Sequence, residues 1–384
     1  MSYFMTEDQR LIQQSIREFC QNPETQKAIA EDNQKREFPR ESWRLLGKMG
    51  YVGVSIPEEF GGQGRDFQTE MVVTETLAMH GYPALRNLSA HALGLMMLNY
   101  WGTEEQKKKY LTPLASGELL CCAAGNDPAG SYNMTEWGLT YIEDGDDYIV
   151  NGSKVLVTNA HASDIKIVFA QDESGTKWGK GFIIEKGTPG LETGYQEAAI
   201  VPGATDWGNV TLKNVRVPKS NCLVDNGFGS KWAAMGANMA ACMYLAINQI
   251  AFNMALNYTS QRTNSGRPLT AMQAVAHRLV NIGINNELSR SIIYNAARLW
   301  DEERYDEGAR LGYMAKVFVG EALAKNVHDA TILHGGLGNT PQMRIGVFNA
   351  MVPSMEIAEG SPDIMRDFVA QTYGIEPVWK KGRP

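Results

Sequence analysis

The spacing of hydrophobic and polar positions divides the chain into three parts. Over residues 1–118, apolar side chains recur every three or four positions, which is the period of one helix face. Two capping boxes, Thr6 with Gln9 and Thr103 with Gln106, mark helix starts because each pair can bind free backbone N–H groups there. We predict an N-terminal helical domain over residues 1–118.

Residues 119–227 show the shorter period of β-strands. Asp-Gly-Asp at 144–146 and Asn-Gly-Ser at 151–153 separate apolar runs, and both sequences are typical of hairpin turns. The runs with strand character are 139–142, 148–150, 154–158, 165–170, 182–185 and 210–217. They predict a middle antiparallel β domain over residues 119–227.

Residues 228–384 return to helical spacing, as at Met239, Met243 and Ala246. Stripes of methionine and aliphatic residues are more often core than cofactor site, so we assign them to packing. The order is helical, β and helical, which predicts an α+β fold with a C-terminal helical domain over 228–384. A chain of 384 residues exceeds the usual size of one hydrophobic core, which agrees with several domains.

Charge and cysteine content narrow the partners and the compartment. The net charge of −7 and the isoelectric point near 5.5 argue against nucleic acid or an anionic membrane as the main partner. The five cysteines form no C-x-x-C pair, and the N-terminus lacks the basic start and apolar stretch of a signal peptide. We expect a cytoplasmic protein with free thiols and no membrane insertion.

Motifs exclude several enzyme classes. The sequence has no G-x-G-x-x-G after a strand, no G-x-x-x-x-G-K-[ST] loop, no H-E-x-x-H and no G-x-S-x-G. Rossmann, P-loop and zincin interpretations are therefore excluded. The six histidines lack the spacing of metal ligands, so we expect no metal site.

The segment 353–366, P-S-M-E-I-A-E-G-S-P-D-I-M-R, combines an acid with a helix start. Ser361 can cap a helix and Pro362 fits its first position, so Glu359 lies just ahead of that helix. Two interpretations of Glu359 remain open. It either faces a partly dry cavity, where a raised pKa would make it a general base, or it only complements the positive end of the helix.

The distribution of acids restricts where a carboxylate base can lie. No acidic residue occurs between Asp225 and Glu287, which excludes the first helices of the C-terminal domain. The acids of 301–307 form a cluster that is typical of a solvated surface. Glu356 and Glu359 are therefore the best-placed candidates.

Four sequence blocks lie in register along more than two hundred residues. They are N-G-S-K-V-L-V-T-N-A from Asn151, Q-R-T-N-S-G-R-P-L-T-A-M-Q-A-V from Gln261, H-G-G-L-G from His334 and I-A-E-G-S-P-D-I-M-R from Ile357. In order and spacing they resemble the signature blocks of the acyl-CoA dehydrogenase family. The resemblance implies a helical domain, a β domain and a C-terminal four-helix bundle, usually in a homotetramer that binds FAD.

The chemistry implied by the resemblance is α,β-dehydrogenation of an acyl-CoA thioester, or the reverse reduction. A carboxylate removes the α proton while the β hydrogen leaves as hydride to the flavin. Glu359 falls on the common position of that base. Electrons would be exchanged with an electron-transferring flavoprotein.

The resemblance also assigns residues to the cofactor. Thr158 matches a threonine beside the flavin ring, and Arg262 matches an arginine that meets the FAD pyrophosphate of the neighbouring subunit. Gln273 corresponds to a contact on the adenosine side, and Ser361 with Asp363 to a pair that contacts the flavin. Further cofactor-binding residues implied by the resemblance are Asn126, Gly335 and Gly336.

Three residues are implied on the substrate side. Ser131 belongs to the loop at 126–132 that covers flavin and substrate in the family, and Gly360 follows the base. Arg86 lies near the position at which glutaryl-CoA dehydrogenase holds a distal carboxylate, and a surface arginine is the alternative. The sequence does not specify the acyl chain.

The chain also departs from the family pattern. The loop at 126–132 is one residue shorter, Ser265 replaces an aromatic residue and Ile332 replaces a glutamine. Ala237 replaces an arginine on the first long C-terminal helix, and Ala350 replaces the arginine of an Arg-Asp pair. These changes predict weaker FAD binding than usual. They leave a second hypothesis open, in which the chain is a non-catalytic or half-site subunit that completes a flavin or substrate site on a related chain.

Overall fold

A computed structural model describes residues 5–35, 37–130, 137–174, 179–195, 206–224, 231–340 and 342–376. The chain forms two compact units, each built from separate stretches of sequence. The first unit takes Met1–Arg17, Met71–Gly81 and Ala233–Pro384. The second unit takes Glu18–Glu70 and Tyr82–Trp232. The domain boundaries at 118/119 and 227/228 stay predictions.

The N-terminal part of the chain is helical, as predicted. Its helices are α1 (Glu7–Gln21), α2 (Pro23–Asn33), α3 (Arg40–Lys48), α4 (Phe67–Met79), α5 (Leu85–Trp101) and α6 (Glu104–Ala115). Both predicted capping boxes form: the backbone N–H of Gln9 donates to Thr6 Oγ1 over 3.2 Å, and that of Gln106 donates to Thr103 Oγ1 over 3.2 Å. Each box satisfies N–H groups that have no partner inside the helix.

The middle part forms one seven-stranded sheet in the second unit, in the order β1-β4-β2-β3-β7-β6, with β5 paired to β4. Its strands are β1 (Cys121–Ala124), β2 (Thr140–Asp144), β3 (Asp147–Thr158), β4 (Ile165–Asp172), β5 (Lys180–Glu185), β6 (Leu191–Tyr195) and β7 (Trp207–Pro218). Antiparallel pairing holds for β2-β3, β3-β7, β4-β5 and β6-β7. β1 and β2 each pair in parallel with β4, so the sheet is mixed.

One of the two predicted hairpin turns forms. Asp144 lies opposite Asp147, and Gly145 has a φ of +61°, which suits a tight turn. The other prediction was wrong, because Asn-Gly-Ser at 151–153 lies inside β3, where the register with β7 shifts after Val150. Gly152 has a φ of +126°, and a Cβ there would lie 2.6 Å from the Leu139 Cα, so this glycine permits a bulge and close packing instead of a turn.

The C-terminal part is helical again. Its elements are α7 (Lys231–Gln261), the short strands β8 (Thr263–Asn264) and β9 (Arg267–Pro268), α8 (Gln273–Asp301), α9 (Tyr305–Leu333), α10 (Ile345–Ile357) and α11 (Pro362–Thr372). Within the first unit, α8, α10 and α11 all pack on α9. The predicted α+β succession of helical, β and helical parts is confirmed.

By length and composition, α7 could cross a membrane, with a mean hydropathy of 1.4 in its most apolar window. More than half of that window, 56%, is buried inside the protein. Core helices pass the same test, so the property is weak evidence for a membrane span. No other described helix meets both criteria.

Candidate active site

Glu359 lies on a four-residue turn between α10 and α11. The turn runs from Ala358 to Ser361, and Glu359 has a φ of +55°. Left-handed backbone at a residue with a Cβ costs roughly 1–2 kcal/mol, so the surrounding structure must hold it. Ser361 caps α11 by accepting from the Ile364 N–H over 3.4 Å, and Pro362 takes the first helical position, as predicted.

The environment of Glu359 suits a base more than a surface acid. Its side chain remains accessible. The protein around it nevertheless removes enough water that burial raises the pKa of the carboxyl, while the nearby Lys316 charge lowers it in part. An accessible carboxyl in a partly dry surrounding can both reach a reactant and take a proton.

Lys316, on α9, lies directly under this turn. It is fully buried, and its Nζ donates to the carbonyl oxygens of Glu356 over 2.9 Å and Gly360 over 3.1 Å. Burial lowers the pKa of Lys316 to about 8, against the attraction of Glu359 and Glu356. Sequence reasoning missed Lys316, although a lone lysine in the apolar run at 313–320 is a signal that could have found it.

A cavity of about 400 Å³ lies at the C-terminal ends of α7 and α9 in the first unit, and we call it the arginine cavity. Its lining residues are Tyr258, Arg262, Leu269, Ala274, Val275, Arg278, Ile332, Leu333, His334 and Gly335. Tyr258 stacks on His334 with 4.8 Å between ring centroids, and Arg278 Nη1 lies 3.2 Å from Asp329 Oδ1. The structure thus brings together two predicted cofactor residues, Arg262 and Gly335, and adds Arg278.

Arg262 reaches the cavity because α7 ends just before it. The chain then forms a hairpin between β8 and β9, with Ser265 and Gly266 at its turn. Both have positive φ, +50° and +76°, the combination that a two-residue turn of this kind requires. Ser265 is therefore a turn residue here, and the aromatic side chain of the family pattern is missing from this position.

The donors of the arginine cavity fit the FAD that the resemblance implies. Two guanidinium groups match the oxygens of a pyrophosphate in charge and planar geometry. Ile332 is 51% exposed and offers no hydrogen bond where the family has a glutamine. The cavity therefore keeps the anion-binding part of the expected set and loses a polar contact.

A second cluster, in the second unit, joins Thr158 to Arg86. Trp207 lies opposite Thr158 in the β3-β7 register, and its Nε1 donates to Thr158 Oγ1 over 2.9 Å. The Arg86 guanidinium lies 5.5 Å from the centroid of the Trp207 ring. Since the Thr158 oxygen accepts from the indole, its own hydrogen remains able to donate. Trp207 was missed, because its place beside Thr158 depends on a distant strand pairing.

The segments that carry Arg86 and Thr158 are tied together in the core. Asn87 Nδ2 donates to Asn159 Oδ1 over 2.7 Å, and Asn159 Nδ2 donates back to the Asn87 carbonyl over 3.0 Å. Both asparagines are fully buried. Their paired bonds fix α5 against the end of β3 and so fix the two neighbouring side chains.

The remaining predicted residues are more dispersed. Asn126 is half-buried, and the buried Asp127 next to it accepts from the backbone N–H groups of Ala129, Gly138 and Leu139 and from Lys154 Nζ over 3.2 Å. Gln273, Gly336 and Asp363 are exposed, and Gly360 is buried. Ser131 lies outside the described residues.

Sequence comparison identifies the chain along most of its length. Models of the acyl-CoA dehydrogenase N-terminal, middle and C-terminal domains match residues 6–118, 122–215 and 231–374. An acyl-CoA dehydrogenase of Bacillus subtilis is 30% identical over 96% of this chain and 98% of its own. A 3-(aryl)acrylate reductase of Clostridium sporogenes is 31% identical over 96% and 98%.

Structural comparison gives the same assignment. The butyryl-CoA dehydrogenase of Megasphaera elsdenii superposes with a TM-score of 0.87, at 26% identity, covering 97% of this chain and all of the other. The matching sequence models, the relatives and the fold agree with one another. The chain belongs to the acyl-CoA dehydrogenase family, whose members are flavin oxidoreductases that act on CH–CH bonds and bind FAD.

Proposed function

We propose that this protein catalyses the FAD-dependent α,β-dehydrogenation of an acyl-CoA thioester, or the reverse reduction, with Glu359 as the α-proton base. The observation that carries the proposal is the turn between α10 and α11, which presents an accessible carboxyl whose pKa is raised by burial. A surface acid that merely complements α11 would keep an ordinary environment.

The residues of this chain divide the task. FAD, when bound, supplies the two-electron acceptor for the β hydrogen. Arg262 and Arg278 would hold the pyrophosphate of an FAD bound by a neighbouring subunit, whereas the Thr158 hydroxyl would donate a hydrogen bond to the FAD of its own subunit. Glu359 takes the α proton on a carboxylate oxygen, and its raised pKa brings its basicity closer to neutral pH.

We further propose a homotetramer that exchanges electrons with an electron-transferring flavoprotein in the cytoplasm. Support for self-association comes from α8, where Val280, Ile284 and Leu288 form an exposed apolar stripe at helical spacing. These side chains are 56%, 51% and 51% exposed in the single chain. The proposed occupant of the stripe is a second copy, which would also bring Arg262 to a neighbour's FAD. Light scattering that gives the mass of one chain would refute it.

A second candidate function is a half-site subunit. Ile332 and Ser265 remove contacts that a complete flavin site would use, and this favours a chain that works with a related partner. Purified protein distinguishes the two, because a complete site gives yellow protein with bound flavin. A colourless chain that gains flavin only with a related chain would support the second candidate.

The test of the proposed base is Glu359→Gln. The amide cannot accept the α proton, so we expect turnover to fall by several orders of magnitude while flavin content and melting temperature stay near the wild-type values. Glu356→Gln is the matched control, since Glu356 lies three residues earlier. Near-normal turnover in Glu359→Gln, with a large loss in Glu356→Gln, would move the base to Glu356.

A further inference from the structure

The two carbonyl groups that Lys316 binds lie on either side of Glu359. Glu356 is in the last turn of α10, where carbonyl groups have no partner inside the helix, and Gly360 follows Glu359 directly. Lys316 Nζ accordingly bridges the two ends of the turn, because it donates to both oxygens, over 2.9 Å and 3.1 Å. Its positive charge also suits the negative end of α10.

Neighbouring helices leave Lys316 little freedom. Its Nζ lies 5.2 Å from the centroid of the Tyr244 ring on α7, and the Tyr244 hydroxyl donates to the Met355 carbonyl over 2.5 Å. Tyr244 and Lys316 therefore fix the C-terminal end of α10 from two helices. This support explains how Glu359 keeps its left-handed backbone.

Few charged groups lie around the turn in the part of the chain that the structure describes. Among these residues, Glu356 and Glu359 both act on the Lys316 charge, and Lys316 acts on Glu359. From α11, Asp363 is 94% exposed and Arg366 is 50% exposed, and Arg366 pairs with Glu321 on α9. The buried Lys316 is thus the cation whose charge lowers the pKa of the proposed base.

We infer that Lys316 is a positioning residue for Glu359, which holds the turn by its two hydrogen bonds to the Glu356 and Gly360 carbonyl groups and places a buried positive charge at the turn that carries the carboxylate. The inference rests on the proposed function, because it assigns Lys316 a role only if Glu359 is the base. The two parts of the role are separable. Glutamine at this position keeps N–H donors without charge, arginine keeps the charge, and methionine removes both.

The experiment compares the pH dependence of kcat/KM in the wild type, Lys316→Gln, Lys316→Arg and Lys316→Met. Loss of the positive charge raises the pKa of Glu359, so the acid limb should move to higher pH by about one unit in Lys316→Gln. At a pH on the acid limb this shift is about a tenfold loss of rate. In Lys316→Arg the acid limb should lie close to its wild-type pH, because the charge is kept. Lys316→Met should shift the acid limb as Lys316→Gln does and should also lower the plateau value of kcat/KM. Flavin content and melting temperature serve as controls for folding.

The inference is overturned if Lys316→Gln has the acid limb of the wild type, whatever its plateau rate, because a purely structural lysine would lower activity at every pH alike. If Lys316→Met does not fold, the comparison of glutamine with arginine still decides. Glu359→Gln is measured in parallel. If Glu359→Gln is inactive and Lys316→Gln is unshifted, only the role of Lys316 fails, whereas an active Glu359→Gln overturns the proposed function and the inference together.

Discussion

Two buried glutamates show how the partner of a side chain decides its chemistry. Glu75, in the first unit, accepts from Arg290 Nη2 over 2.8 Å and from the Tyr294 hydroxyl over 2.8 Å. Glu70, in the second unit, is 1% exposed. Ser55 forms hydrogen bonds with it, and these lower its pKa in part, against the effect of burial. Its Oε1 has no hydrogen-bond partner among the described residues. Burial raises the pKa of Glu70 to about 7.

The raised pKa of Glu70 makes stability depend on pH. The unfolded carboxyl titrates near 4.5 and the folded one near 7, so the folded chain binds more protons between these values and loses stability as pH rises through them. The full difference is about 3 kcal/mol above pH 7. Glu70→Gln cannot ionise, so its melting temperature relative to the wild type should rise steadily from pH 5 to pH 8. A difference that is constant over this range would show that Glu70 does not titrate there.

Single residues could be predicted where the signal is local. Ser361 and Pro362 mark their helix start because capping depends on neighbours in sequence, and the position of Glu359 just before that cap could be predicted in the same way. Lys316 and Trp207 could not be found in the same way. Their roles depend on which strand or turn packs against them, and the sequence pattern near each residue does not contain that information.

Among the helices, α7, α8 and α9 share a polar layer inside an otherwise apolar core. Asn326 Nδ2 donates to Asn248 Oδ1 over 3.2 Å, and Asn285 Nδ2 donates to Asn326 Oδ1 over 2.8 Å. Asn286 Nδ2 reaches Gln249 Oε1 over 3.4 Å. Asn248 and Asn326 are fully buried, so these bonds fix the helices at one height relative to each other.

Asn326→Leu tests this layer. Leucine fills a similar volume but leaves Asn248 Oδ1 and Asn285 Nδ2 without their partner, which should cost about 2 kcal/mol and lower the melting temperature by roughly 4–8 °C. Asn253→Ala is the control, because the Asn253 bond to Gln249 is exposed.

The double variant Asn248→Leu with Asn326→Leu separates lost bonds from lost packing. Removing both partners leaves fewer unpaired groups, so part of the lost stability should return. A double variant that loses the sum of the two single effects would show that the layer acts through packing instead.

Pattern reasoning performed differently for helices and for the sheet. Helix starts at Thr6, Thr103 and Ser361 were confirmed because caps and apolar period are local. The bulge at Gly152 and the parallel partners of β4 were missed, since both depend on strands far apart in sequence. A glycine after an asparagine is compatible with a turn or with a bulge, and only the neighbouring strand decides.

The chain as a whole keeps the arginines of the arginine cavity but departs from the family pattern at Ser265, at Ile332 and in the shortened loop at 126–132. Each lost hydrogen bond or aromatic contact weakens binding by roughly 0.5–1.5 kcal/mol, so the three departures together should cost about two to three orders of magnitude in FAD affinity. We expect protein purified without added FAD to be substoichiometric. Its melting temperature should rise when FAD is supplied, because FAD binds only the folded state.

Dialysis followed by flavin quantification checks this prediction. Arg262→Ala is the matched variant, since it removes a cation of the cavity and should lower the flavin content further. Full occupancy after extensive dialysis would reveal replacement contacts. Failure to bind FAD under any condition, alone or with a related chain, would remove the enzymatic proposal.

Because the two compact units are interleaved along the sequence, they are completed at different times during synthesis. All of the second unit has left the ribosome's active site once Trp232 is made, whereas Met71–Gly81 belongs to the unit completed by Ala233–Pro384. At usual elongation rates, that stretch waits on the order of ten seconds or more for its partners. Met71, Val72, Val73 and Leu77 are fully buried in the finished protein, so we expect them to form an exposed apolar segment on the nascent chain until Ala233–Pro384 is made. We expect protease to cleave stalled chains ending at residue 232 within Met71–Gly81, and resistance there would mean that the segment is protected before its own unit exists.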